Sequence, residues 1–432
     1  MTLWILLGMV AWFAAVTFRW NWPIGLGLAS AAALGGLVAG VPPWAPGGDG
    51  LLRHLVEGSF VYIDPILIMA TALVFMKAIE ASGLLPALSV RILRGLAHRP
   101  MLLAILMGAF IAFPGMLTGL TTASVLTTGA IAAPPLMKLG LDRRRTGAFI
   151  AICAIIGMVA PPINLPVMII GGGVDMPYIG FTVPLLVLTL PTLVFTALFL
   201  AWPSLRKGDA RAVLAGLDDG PWQRHGVKLL LPLLLVLVLM SAPQLFPGRV
   251  PSLGLPLVFL LGALLAMVTG DRVRLVDCAS AAVRQALPVM AILVGVGCFI
   301  QVMTLTGMRG ELVLSCLELP HWLLFVSMLF ALPMFGAVSA FGSASVLGVP
   351  FLLALLGRPE LWVAAGLSML AALGDLMPPT ALSGIFAAQV VGEEKYTRVL
   401  RHCLVPALLL AGWGLATILF AGQFAAVFTP AP

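Results

Sequence analysis

Apolar runs of roughly membrane-spanning length alternate with short polar interruptions along this chain. A helix needs about 20 apolar residues to cross a bilayer. Cutting at the interruptions predicts spans at 3–18, 24–42 and 58–80, then a hairpin-like pair over 101–139. Further spans follow at 146–174, 181–203, 227–246, 252–270 and 286–305. A second hairpin-like pair covers 322–357, and the chain closes with 361–392 and 403–428. The opening residues, MTLWILLGMVAWFAAVTFRW, lack a basic leader and an A-x-A cleavage site, so they read as a first transmembrane helix. The predicted class is an all-α polytopic membrane protein, with about ten spanning helices and two hairpins.

The pattern repeats. Pro65 matches Pro288 at an interval of 223, and TASVL at 122–126 matches SASVL at 343–347 at 221. GMVAPPIN at 157–164 matches GDLMPPTA at 374–381 at 217, and Tyr178 matches Tyr396 at 218. Four landmarks in one order at nearly one interval are not the work of chance composition. The organisation expected is N-terminal helices over 1–57, a first repeat over 58–203 and a linker over 204–226. Connecting helices over 227–284 and a second repeat over 285–432 complete it. The hairpins 101–139 and 322–357 and the interrupted helices 146–174 and 361–392 occupy matching places.

Basic residues set the orientation. Of 24 Lys and Arg, 19 fall in alternate interruptions, among them Arg91, Arg94, Arg99, Lys138 and Arg143 to Arg145. The intervening loops hold only Arg53, Arg249, Arg309 and Arg358, and Lys77 lies within an apolar run. The positive-inside rule places the richer loops and the linker 204–226 in the cytoplasm, and both termini outside. The first repeat then starts outside and the second inside, so the repeats are inverted. Inverted repeats with interrupted helices are a mark of secondary transporters.

The interruptions carry the candidate chemistry. A proline within a helix removes a hydrogen bond and clashes with the carbonyl four residues earlier. Pro161 and Pro162 therefore free the carbonyls of Gly157 and Met158, and Pro378 and Pro379 free those of Gly374 and Asp375. In hydrocarbon such a break persists only where protein or a polar cavity surrounds it. Freed carbonyls with Asn164, Asp375 and Thr380 beside them are oxygen ligands for a hard cation. The alternative is a plain kink, which the recurrence of both proline pairs disfavours. Asp375 is the ionisable residue best placed for function, either holding a cation or hydrogen-bonding a loop. Lys77 and Glu80 pair on one helix, and Asp64 marks an outer interface. The clusters LTGLTTAS at 117–124 and VSAFGSAS at 338–345 lie at the midpoints of the hairpins. They suit either close helix packing or the tips of re-entrant hairpins.

Composition agrees and excludes other classes. Apolar residues make up 61% of the chain and charged residues 9%, with a net charge of +7. So few charges cannot coat a soluble enzyme or a nucleic-acid binder. The five cysteines are scattered and form no metal or disulfide pattern. No HExxH, intramembrane Ser/His couple or nucleotide-binding loop is present, so neither an intramembrane enzyme nor an ATP-driven pump is expected.

GMVAPPINLPVMIIGGGVDMPYIGFTVPLLV and LTGLTTASVLTTGAIAAPPLMKLGLDRRRTGAF resemble the large membrane subunit of tripartite ATP-independent periplasmic (TRAP) transporters. The likeness covers nearly the whole chain. It implies a scaffold domain and a mobile transport domain working as an elevator, and sodium-driven uptake of an organic acid such as a C4-dicarboxylate. Carried over, the ion sites fall on Thr121, Thr122, Ser124, Gly157, Pro161 and Asn164, and on Ser343, Ser345, Gly374, Pro378 and Thr380. Pro162, Pro379 and Asp375 join them from the break geometry, with Gly157, Asn164, Gly374, Asp375 and Thr380 as sodium ligands. The resemblance further implies a bacterial inner membrane, a small membrane subunit and a periplasmic binding protein. Three departures stand out: GLTTAS in place of a serine-rich tip, Asn164 in place of a serine, and the carboxylate of Asp375. A stand-alone sodium- or proton-coupled carboxylate carrier of the same superfamily is the alternative.

Overall fold

A computed structural model describes residues 2–45, 50–206, 220–246 and 248–428. They form helices and no strands, as expected of an all-α polytopic membrane protein. Six helices among the described residues are long and apolar enough to cross a membrane, from Leu51–Ala81 to Tyr396–Leu419. Several shorter apolar helices stand beside them. Of the polar stretch 204–226, residues 207–219 lie outside the described residues.

Two bundles are evident. In the first, the Leu275–Leu305 helix packs on Ile24–Val38, Leu51–Phe60 and Ile63–Ala81. It begins eleven residues before the expected span 286–305 because Val276 to Arg284 continue the helix without a breaker. Its crossings are made by glycine: Gly295 lies against the backbone of Gly25, and Gly297 against that of Gly58. Packing at such crossings rests on backbone approach, since lipid removes the usual hydrophobic drive between helices.

The second bundle is centred on the two interrupted helices. Arg143–Val159 is buried at every position from Thr146 onward, and Glu360–Ala372 from Trp362 onward. Uniformly apolar helices need a core position, with no face left for a boundary. Asp142 starts the former by accepting Arg145 N–H at 2.8 Å. Pro100–Thr118, Thr182–Thr196 and Tyr396–Leu419 pack around them.

The bundles are joined by two short helices that the apolar spans leave out, Leu84–Leu96 and Met308–Glu318. Each follows a glycine with positive φ, Gly83 at 86° and Gly307 at 73°, a turn that only glycine makes without strain. Each hairpin then runs beside an interrupted helix. Gly115, fifteen residues into the first arm, lies against Gly157, and Gly336, fifteen residues into the second, lies against Gly374. The hairpins thus turn at the depth of the breaks, with Leu165–Gly172 and Leu382–Val391 continuing past that level. That is the geometry of re-entrant hairpins.

The repeat is visible at the tips, in a register two residues from the one TASVL and SASVL suggest. The short helix Thr121–Ser124 corresponds to Ala340–Ser343, and the widened turn Val125–Gly129 to Ala344–Gly348, both at an interval of 219. Ser124 is therefore the counterpart of Ser343. The sequence match of small residues is displaced because Ala and Ser recur at neighbouring positions of both tips.

Candidate functional site

At the first break, the chain leaves its helix at Val159 and resumes at Leu165, with a cis bond between Pro161 and Pro162. Asn164 organises the gap and is fully buried. Its Oδ1 accepts Val167 N–H at 3.0 Å and so caps the new helix. Its Nδ2 donates to Val159 O at 3.0 Å and to Ser368 Oγ at 2.9 Å. Its backbone N–H donates to Tyr178 Oη at 3.0 Å, and that hydroxyl donates to Pro162 O at 3.1 Å. Ile163 N–H reaches the first hairpin at Met116 O, 3.1 Å.

The second break has the same proline pair, again with a cis bond, and a different finish. Met377, Pro378 and Pro379 are exposed, whereas Pro161 is buried and Pro162 half-buried. Ala381, the counterpart of Asn164, sits at φ 36° and offers no side-chain cap to Leu382–Val391. Thr380 donates its hydroxyl to Ala337 O of the second hairpin. Asp375 is 7% exposed and lies in the tight turn Leu373–Leu376. Its Oδ2 accepts from Thr121 Oγ1 at 2.5 Å, and its carbonyl accepts from Ser383 Oγ at 2.9 Å.

The Thr121–Asp375 contact joins the tip of the first hairpin to the break of the second repeat. Asn164–Ser368 joins the first break to the Glu360–Ala372 helix in the same crossed sense. Ser124 Oγ accepts Gly115 N–H at 2.7 Å and points to Ala112 O at 3.3 Å, holding the first tip against its own arm. Ser343 Oγ does the same in the second hairpin, donating to Leu332 O at 2.7 Å. Ser345 turns away to Tyr62 Oη, 3.0 Å distant on the first bundle. Thr122 is half-buried beside Thr121. Gly157 and Gly374 serve close approach, because a Cβ on either would enter the backbone of Ala112 or Gly336.

The freed carbonyls are corrected by this geometry. Gly157 O accepts Ala160 N–H at 3.2 Å, Gly374 O accepts Met377 N–H at 2.9 Å, and Asp375 O accepts the Ser383 hydroxyl. The residue just before each proline pair turns back to its glycine carbonyl, and at Asp375 the partner comes from beyond the prolines. Each carbonyl keeps a second lone pair, so it is partnered without being excluded as a ligand. Ser368, Ser383, Tyr62 and Tyr178 complete the network; Ser368 and Tyr62 do so across distant segments, Ser383 and Tyr178 within their own breaks. Lys77 pairs with Glu80 at 2.9 Å, away from the breaks. Asp64 is exposed at the start of Ile63–Ala81.

A cavity of about 680 Å³ opens beside the first break, between Pro161, Pro162 and Tyr178 on one side and Met240, Ser252 and Leu255 on the other. Its lining is uncharged. A second, apolar groove of about 640 Å³ separates the first helix from the second hairpin near Phe13 and Phe330.

Residues 49–205, which hold the first hairpin and first break, match the family model of the tripartite ATP-independent periplasmic transporter, DctM component. Over that segment the chain is similar to the TRAP large component. The Alcanivorax borkumensis YdaH transporter, described as having an unusual topology, aligns with this chain over 98% of both chains. The TM-score is 0.61 at 18% identity, a likeness of fold. No curated protein matches the chain. The resemblance read from the sequence is matched by the family model over residues 49–205, and the all-helical, multi-pass architecture is borne out.

Proposed function

We propose that this chain couples an inward cation gradient, of sodium, to uptake of an organic acid such as a C4-dicarboxylate across a bacterial inner membrane. The observation that carries this reading is the buried Asp375 carboxylate, met by Thr121 from the opposite repeat. Among the described residues no salt bridge compensates Asp375. A buried, unpaired carboxylate is costly, and a bound cation relieves that cost. Because its ligands come from a hairpin tip and a helix break, filling the site draws the two repeats together. The uncharged cavity at the first break is of a size for a small acid. A scaffold formed by the first bundle and a transport body formed by the second would move past each other, as an elevator, about Gly83 and Gly307. Both termini face the periplasm in this reading, and a small membrane subunit and a periplasmic binding protein complete the system.

Reconstitution tests it. Labelled carboxylates are offered to proteoliposomes under an imposed sodium or proton gradient, with and without the small subunit and binding protein. Uptake that needs both partners and inward sodium is the expected result. Uptake by the chain alone would make it a stand-alone carrier. Absence of gradient-driven uptake in every combination would overturn the reading.

A further inference from the structure

The two breaks occupy equivalent places, Gly157, Pro161 and Asn164 corresponding to Gly374, Pro378 and Ala381 at an interval of 217. A cation site is a convergence of oxygen acceptors around an empty centre. At the first break a tethered donor already stands among those acceptors. Val159 O and Ser368 Oγ both receive the NH₂ of Asn164, whose own oxygen receives Val167 N–H. Ser368 spends its proton on Ala365 O at 2.7 Å, so the oxygen it turns to Asn164 is an acceptor. An ion arriving here would face the positive end of a fully buried amide dipole and would have to strip two hydrogen bonds. The residues of the first break do not fit a cation, contrary to the ligand set that the resemblance implies for Gly157 and Asn164.

The second break is built the other way. Ala381 brings no amide, and the buried side-chain charge is the carboxylate of Asp375, which accepts the Thr121 hydroxyl. Here the side-chain acceptor is negative, and no tethered amide donor stands before it. We propose that the chain binds a single coupling cation, at the second break between Asp375 and Thr121, and that the amide nitrogen of Asn164 permanently takes a cation's place in the first. This rests on the cation-coupled reading above and adds its stoichiometry. One repeat has become a structural keystone while the other retains the ion.

The test counts radiolabelled sodium bound at saturation by the full chain in lipid nanodiscs. One ion per chain with a non-cooperative isotherm is expected. Asp375→Asn removes it, and Asn164→Ser, which exchanges the amide for a hydroxyl acceptor, admits a second. Two ions on the unaltered chain, or one that survives in Asp375→Asn, would overturn the proposal while leaving sodium coupling intact. An unchanged single ion in Asn164→Ser would overturn the role given to the amide. No saturable sodium on the unaltered chain would overturn both this proposal and the sodium coupling itself. The unaltered chain alone decides the stoichiometry, whatever the variants do to folding.

Discussion

Between Val159 and Leu165 the chain closes its interruption with its own side chains, whereas between Leu376 and Leu382 it leaves Met377, Pro378 and Pro379 exposed. The glycine and the proline pair recur at the same spacing in both. Among the exchanges between them, two decide the charge and the capping: Asn164 against Ala381, and Met158 against Asp375. The amide satisfies donors and acceptors together, so the first break needs nothing from outside. The carboxylate accepts and cannot donate when ionised, so the second break is complete only with donors or a cation around it. Duplication thus supplies two similar scaffolds, and single side chains decide which of them keeps an unmet charge.

Asp375→Asn separates the two most strongly. It keeps the shape and removes the charge, and gradient-driven uptake in proteoliposomes falls by about 100-fold, equivalent to roughly 3 kcal/mol of lost charge-assisted contact. Asn164→Ala acts instead on the fold. It removes the cap of Leu165–Gly172 and leaves Val159 O and Val167 N–H without these partners, costing roughly 2–4 kcal/mol in unfolding measurements. The same loss from Asp375→Asn would remove the distinction between the breaks.

Gly157→Ala drives a methyl group into the backbone of Ala112, with an expected loss of about 1–3 kcal/mol from overpacking. Ala381→Gly changes stability in the opposite direction. Its φ of 36° is unfavourable for alanine and free for glycine, so the midpoint of thermal unfolding rises by the equivalent of about 1 kcal/mol. An unchanged midpoint would show that no strain resides there.

The smallest effect is where the start of the first broken helix meets the segment after the second. Glu393 accepts from Arg398 at 2.9 Å and from Arg144 at 3.3 Å, fastening the start of the first broken helix to the end of the second. The Arg398 hydrogen bond, with help from Arg144 and against some desolvation, holds its carboxyl below the ordinary glutamate value. The depressed value means that the contact stabilises fully above the unfolded value of about 4.3 and is lost as pH falls through the folded value. Glu393→Gln should flatten the acid limb of the stability profile below about pH 4.3 and leave neutral pH nearly unchanged.

Much of this architecture was legible in the chain. Apolar runs announce spans because hydrocarbon demands them, and paired prolines announce breaks because they cannot continue a helix. The repeat followed from landmarks of that kind. The register of the tips did not, since Ala and Ser at 122–124 and 343–345 align equally well two residues away. Nor did the partners of the site. Thr121 and Asp375 are 254 residues apart, and Asn164 and Ser368 are 204 apart, and only the packing of Gly115 on Gly157 and Gly336 on Gly374 brings such pairs to one depth. The joining helices Leu84–Leu96 and Met308–Glu318 escaped for a different reason. They are too polar to read as spans, and their signal is the glycine before each.

The central claim is that the two breaks are not equivalent for cations, and a crystal structure of the full chain soaked in thallium, an anomalous stand-in for a monovalent cation, tests it most directly. The account predicts one anomalous peak, in contact with Asp375 and Thr121, and an Asn164 amide still bonded to Val159 and Ser368. A peak at the first break, with the amide swung aside, would contradict it.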